Sequence, residues 1–407
     1  MSIYAFADME NGRARRIYAN CRYPSRQEGN LLLDFDGEVN LKYDNELPLR
    51  LRDFYALVAI RPSHILASRD VFGGKPLYYN PFSLSFSSFR NYFENQEEIV
   101  ELMPGEVLKL GYDGSIIERK HYSFEDVFSL NEEDIDQEEF GEKFLGILER
   151  LKPKGCLAFS GGIDSSFLAS IYDLDLVSVT ANEKEEEWLK ECSKLMGKEI
   201  EIRRFGKSDV EEALPKVMDT IETTDFFQVS IALPIYLVMK FAKELGYNNI
   251  VFGQGADELF GGYMRYTTMD RSKLRDSLIE DVRNVGVKNI VRDTKVAYSF
   301  EMKLIAPYLQ WDLIDLALKL PVEFKLRKVD GKVVRKYILR KVALDHLPKE
   351  MVLREKKAIQ YSTGASEILK KIARSHGMKV QEFLERLKTK NDLERLKTED
   401  DLRRNDL

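Results

Sequence analysis

The stretch "GCLAFSGGIDSSFLAS", residues 155–170, decides how the chain is read. An apolar run from Cys156 to Phe159 breaks into Ser160, Gly161 and Gly162. Asp164, Ser165 and Ser166 follow Ile163, and a second apolar-periodic segment then begins. This pattern predicts a short buried strand, a glycine turn and a helix. At such a seam the first backbone N–H groups of the helix have no carbonyl partner. With the positive end of the helix dipole they make an anion site suited to phosphate. Gly161 and Gly162 keep Cβ atoms out of the way, and the serines add hydroxyl donors. A carboxylate would repel phosphate, so Asp164 makes sense with a Mg²⁺ ion between the two. The stretch is not GxxxxGK[ST], because the lysine of that motif is absent. A plain Ser/Gly turn with a helix N-cap accounts for SGG alone, but less well for the Asp-Ser-Ser that follows.

Downstream, "DLVSVTA", "EIEIRRF" and "NNIVFG" are short apolar runs. Helical stretches such as "EKEEEWLKECSKLMGK" and "ALPIYLVMKFAKELG" lie between them. Strands alternating with helices predict an α/β fold with a doubly wound parallel sheet covered on both faces. Residues from about 270 to 370 read as mainly helical. Upstream, "DFYALVAI", "HILASRD", "PLYYN", "LSFSS", "GEVLKLGYDGS" and "IIERKHY" predict many short strands in an antiparallel, β-rich domain. The acidic connector "SLNEEDIDQEE" leads into the helical "FGEKFLGILERLK", which puts a boundary near residue 130. The expected division is 1–130, 131–370 and a charged helical tail, 371–407. That tail holds the near-repeat "LERLKTKND" and "LERLKTEDD". Its leucines fit either a solvated terminal helix or a docking helix, with a homodimer as one outcome.

Composition narrows the function classes. Of 407 residues, 44% are apolar, which predicts a globular protein long enough for two or three cores. Charged residues reach 32%, a richness in Lys and Glu that fits a thermophile. Lys and Arg (62) nearly balance Asp and Glu (68), so no basic field points to nucleic acid. Cys21, Cys156 and Cys192 form no CxxC pair, and with four histidines a zinc site is not expected. No signal peptide is read before the first strand, and no apolar run approaches the length of a membrane span. A cytoplasmic protein with no membrane contact is the expectation.

The residues also carry a resemblance. "SGGIDSS" is similar to the pyrophosphatase loop of synthetases that split ATP into AMP and pyrophosphate. "VFGQGADELFGGYMRY", residues 251–266, closely resembles the signature of asparagine synthetases and their relatives. It follows a strand and would set Asp257 at that strand's carboxyl end, beside the first loop. Asp164 and Asp257 would then hold Mg²⁺ against the triphosphate. Ser160, Gly161, Gly162, Ser165, Ser166, Gly253 and Gly255 would complete the ATP site. A plain acidic pair at a helix N-terminus is the alternative for Asp257 and Glu258. The likeness continues in order through "DTIETTDF", "RDTKVAYSFEMKLIAPYLQWDLIDLALKLP" and "LPKEMVLREKKAIQYSTGA".

The first domain resembles the family's glutamine amidotransferase half, an Ntn-hydrolase-like fold, in "ILASRDVFGGKPLYYN" and "VELMPGEVLKL". The family's nucleophile is a cysteine directly after the initiator methionine, with its own amine as base. This chain has Ser2 there, and only "DFDGEVN" is faintly similar to the glutamine-binding loop. A degenerate, structural domain is expected, with Ser2 as a weaker nucleophile the alternative.

The resemblance implies a two-step ligase, in which a carboxylate is adenylated by ATP and an amine then displaces AMP. Its substrates would be a small-molecule carboxylate and ammonia or another amine. Lys356, two residues after Arg354, would stabilise developing charge; Lys357 is the less favoured neighbour. Gln254 stands where asparagine synthetases carry a glutamate that helps deprotonate the amine, and glutamine is no base at neutral pH. Related β-lactam-forming synthetases pair a tyrosine there with a glutamate matching Glu301, so Gln254 would orient substrate while Glu301 supplies the base. A structural carboxylate is the alternative for Glu301. Against the whole reading stands a nucleotide-binding regulator that kept the site without turnover.

Overall fold

The computed structural model describes residues 2–11, 13–35, 39, 45–355 and 359–389. Its larger part is built on a parallel sheet of five strands in the order Ile200–Arg204, Asp175–Thr180, Cys156–Ala158, Asn249–Val251, Lys303–Ile305. The chain lays its first three strands outward from Cys156–Ala158, then returns to the other side of that strand for the last two. Cys156 pairs with Ile250 and Leu157 with Val251, so two strands far apart in sequence end side by side. In open α/β sheets a ligand crevice opens where the strand order reverses.

Alternate residues of these strands serve two cores, as the period of two requires. Leu157, Leu176 and Val251 pack with the helices Gln137–Leu151, Ile163–Ile171 and Trp311–Leu318. Cys156, Val177 and Ile250 pack on the other face with Lys207–Ile221, Phe226–Glu244 and Ala365–Ser375. Phe226–Glu244 is long and apolar enough to cross a membrane by composition, and 67% of that stretch is buried inside the fold.

Residues 3–121 form two antiparallel sheets, of five and six strands. Ile3, Ala5 and Phe86 of one sheet meet Val58, Ala67 and Leu108 of the other in a shared core, a face-to-face sandwich. Each apolar run predicted as a strand here is one.

The region from 270 to 370 is mainly helical, as expected, and also holds the edge strand Lys303–Ile305 and the hairpin of Leu326–Val329 with Lys332–Arg335. Strands of three or four residues are too short to show a period. The charged stretch from 371 also continues the fold. Helix Ala365–Ser375 runs through residue 370, and Ile372, Ala373, Phe383 and Leu384 are buried in the second core. The second copy of the near-repeat lies outside the described residues.

Phe72 joins the sandwich to the parallel-sheet part. Its ring lies 5.4 Å from those of Phe54, Phe124 and Phe128 and 5.5 Å from Trp311. Phe72→Ala is expected to destabilise the fold by about 3–5 kcal/mol, read from urea unfolding.

Candidate nucleotide site

A cavity opens at the carboxyl ends of Cys156–Ala158 and Asn249–Val251. Ser160, Gly162, Asp164 and Ser165 line it from the first loop, and Gly253, Gln254 and Asp257 from the second. The loops touch because Gly253 has no side chain: a Cβ there would stand 3.0 Å from the Asp164 Cβ. The Ser160 and Ser165 hydroxyls lie 3.0 Å apart, and Ser165 Oγ also accepts the Ser160 N–H at 3.1 Å.

Three residues expected to touch the nucleotide instead shape the loops from behind and do not line the cavity. Gly161, at φ +64°, presents its carbonyl to the Trp188 indole N–H at 2.9 Å. Gly255, at φ +92°, caps the helix Ala256–Phe260 and lies against Leu309. Ser166 has a fully buried hydroxyl inside the following helix. Arg354 braces the first loop. It donates to Glu185 Oε2 at 2.5 Å, and its guanidinium lies 4.5 Å from the Trp188 ring centre. Arg354, Glu355 and Ile359 line the cavity; Lys356 and Lys357, between them in the chain, lie outside the described residues.

The residue tying both loops together is Lys336. Its Nζ is 2.5 Å from Asp164 Oδ1 and 2.9 Å from Asp257 Oδ1, with 2% of the side chain exposed. Gly262 makes room for this contact, because a Cβ there would fall 1.8 Å from Asp257 Oδ1 and 2.3 Å from Lys336 Cε. No sequence signal marked this lysine, which sits among several cations in "GKVVRKYILRK". Its ammonium shows that the two carboxylates can grip one cation. Mg²⁺ is commonly held by one or two carboxylates, with phosphate oxygens and water completing its shell. Asp164 and Asp257 therefore fit a Mg²⁺ ion that arrives with a polyphosphate.

The cavity has two different ends. Val177, Val179, Ile231, Pro234 and Val238 make one side apolar, as a flat heterocycle requires. Glu258, Tyr263, Asn289 and Arg292 line another part. The Glu258 carboxylate accepts from the Tyr263 hydroxyl and, at 2.7 Å, from Asn289 Nδ2. Burial first, and the Glu258 charge second, push the Tyr263 phenol far up, so it stays a donor.

Glu301 is not where the resemblance put it. The chain leaves the helix Val291–Ser299 and turns left-handed at Glu301, φ +49°. Its exposed carboxylate lies 3.4 Å from Arg22 of the sandwich and outside the cavity lining. The carboxylate beside Gln254 is that of Asp293, which accepts from Gln254 Nε2 at 2.6 Å. Ser2 is 1% exposed, with its hydroxyl against that of Ser25. Most of "DFDGEVN" falls outside the described residues.

Residues 152–274 and 267–397 match the family model for asparagine synthase. The chain belongs to the asparagine synthase family. The protein named putative asparagine synthetase [glutamine-hydrolyzing] 1 of Methanocaldococcus jannaschii is 27% identical, over 92% of this chain and 81% of its own length. Plant relatives are matched over less of their length. The asparagine synthetase [glutamine-hydrolyzing] of Asparagus officinalis is 25% identical over 77% of this chain, which spans 58% of it. For asparagine synthetase [glutamine-hydrolyzing] 1 of Lotus japonicus the figures are 27%, 53% and 40%. Against such plant members of the asparagine synthase family the chain spans about half their length. The family match covers the parallel sheet and both loops of the cavity.

Lys336→Met removes the positive charge between two largely buried carboxylates, and a loss of about 3–5 kcal/mol in urea unfolding is expected. If the carboxylates suit a divalent cation, millimolar Mg²⁺ will raise the melting temperature of this variant more than that of the parent protein.

Proposed function

We propose that the chain is an ATP-dependent carbon–nitrogen ligase of the asparagine synthetase kind. In this reading a substrate carboxylate oxygen attacks the α-phosphorus of ATP, giving an acyl-adenylate and pyrophosphate. An amine, most simply ammonia, then attacks the acyl carbon; AMP leaves with the C–O electrons and the surplus proton passes to solvent. The observation that carries the reading is the meeting of Asp164 and Asp257 at the strand-order reversal, in a cavity with an apolar side for a base. Family membership supports the same chemistry.

The first step joins negative reactants, so charge neutralisation dominates it. Bound Mg²⁺ would supply Lewis-acid neutralisation of the triphosphate oxygens. Ser160, Gly162 and Ser165 would receive phosphate oxygens, and Lys336 would move from the carboxylates toward them as a second cation. Lys356 is the further cation proposed for the developing charge. Ammonia drawn from solution is proposed as the amine source, because Ser2 replaces the amine-activated cysteine and is buried. In this reading the chain would lack the half-reaction that the relatives' names give.

The test is release of pyrophosphate and AMP from ATP and Mg²⁺ with aspartate, with and without ammonium, and then with other amino acids. Asp164→Asn and Asp257→Asn should each lower turnover at least about a hundredfold. Nucleotide binding without pyrophosphate release for any acid would favour the regulator instead. Glutamate release from glutamine should not be detected; release that vanishes in Ser2→Ala would overturn that part.

A further inference from the structure

Lys325 is a buried amine that the proposed chemistry leaves unused. It ends the short helix Val322–Lys325 and is 4% exposed. The other two lysines buried among the described residues are paired, Lys336 with Asp164 and Asp257 and Lys295 with Glu222. Lys325 is not: among the described residues no hydrogen bond or ion pair holds its Nζ. The charges that act on it are those of Arg275 and Glu132. Arg275 gives one Nη to the Glu132 carboxylate and the other to the Leu130 carbonyl. Its Nε–H has no acceptor among the described residues.

An ammonium at Lys325 would be a cation out of water with a guanidinium as neighbour, and both conditions oppose the charge. Burial first, and Arg275 second, push the amine down to about 7, and the Glu132 charge offsets this only in part. Above neutrality the folded site therefore holds a neutral amine with its lone pair uncommitted. Beside that nucleophile stands a guanidinium with a donor to spare. The pair fits a reagent that is uncharged on arrival and anionic once bound. Burial excludes a bulky acyl donor and leaves a small one.

We propose that Lys325 takes up carbon dioxide as a carbamate held by Arg275. The Nζ lone pair forms the N–C bond, one C=O π pair withdraws onto oxygen, and one Nζ proton leaves to solvent. The carbamate oxygens give the Arg275 Nε–H its acceptor, and the unpaired amine is gone. Lys325 stands at the root of the hairpin of Leu326–Val329 with Lys332–Arg335, whose second strand runs straight into Lys336. The adduct thereby pins the segment that carries Lys336 to the two carboxylates.

Carbon NMR of the full chain, with isotope-labelled bicarbonate and isotope-labelled lysine Nζ, tests this. At about pH 7.5 only about one exposed lysine in a thousand is neutral, so a carbamate carbon coupled to lysine nitrogen should come from Lys325 alone. That resonance should disappear in Lys325→Met, while the carbamate of the chain's α-amine remains as the control. Arg275→Gln should raise the bicarbonate needed for half-occupancy at least about tenfold, the worth of a hydrogen bond to a charged group. Trapping the carbamates of the unaltered protein as ethyl esters, then mapping them by mass spectrometry, assigns the resonance without a variant. A lysine resonance that survives in Lys325→Met, trapping on other lysines only, or no lysine resonance beside that of the α-amine overturns the site. An unchanged half-occupancy in Arg275→Gln overturns the role of Arg275. Unfolding in urea should abolish the resonance, because burial makes the amine reactive; its persistence there would overturn the proposal equally.

Discussion

Lys336 reaches Asp164 and Asp257 at once because the strands that end beside them are neighbours in the sheet. Taking three charged groups out of water costs several kcal/mol each, and their attraction repays this only when the geometry is close. Here both contacts are within hydrogen-bond range, and Gly253 and Gly262 supply the space that lets backbone and side chains approach so nearly. One ammonium thus draws both carboxylates to a single point, and the device that closes the crevice sets two acidic groups side by side at its mouth.

The strands and helices around the first loop were legible because each carries its own local signal. "CLAF" is an apolar run, the glycines after it break the strand, and Ile163 to Ile171 has helical spacing. Asp164 could be singled out because a carboxylate among glycines and serines demands a reason, whereas Asp257 was marked by the resemblance that its motif carries. Lys336 was not legible, since nothing local separates it from its charged neighbours and only the sheet order selects it. Lys303–Ile305 was missed for the same kind of reason, being a strand by virtue of its neighbour Asn249–Val251. Glu301 was placed by the resemblance, and the chain turns left-handed there with its carboxylate at the surface. Asp293, in the first turn of the helix Val291–Ser299, gave no sign that it would face Gln254.

The sandwich of residues 3–121 keeps a full core of its own although Ser2, at its start, is sealed against Ser25. Its attachment is broad. Phe72 lies against Trp311, Lys295 is buried with Glu222 and bonds the Tyr78 hydroxyl, and Asn91 contacts the Asp219 carbonyl. Desolvated pairs and aromatic faces of this kind contribute to a permanent seam and not to a transient docking.

The contacts of Tyr23 with Asn249 and of Arg22 with Glu301 fall at the amino ends of the last two parallel strands. The cavity lies at the opposite ends, about 10 Å away along three residues of strand. The sandwich thus grips the sheet by its roots and leaves the tips to the ligand. It works as a splint, a rigid bed beneath the far crevice.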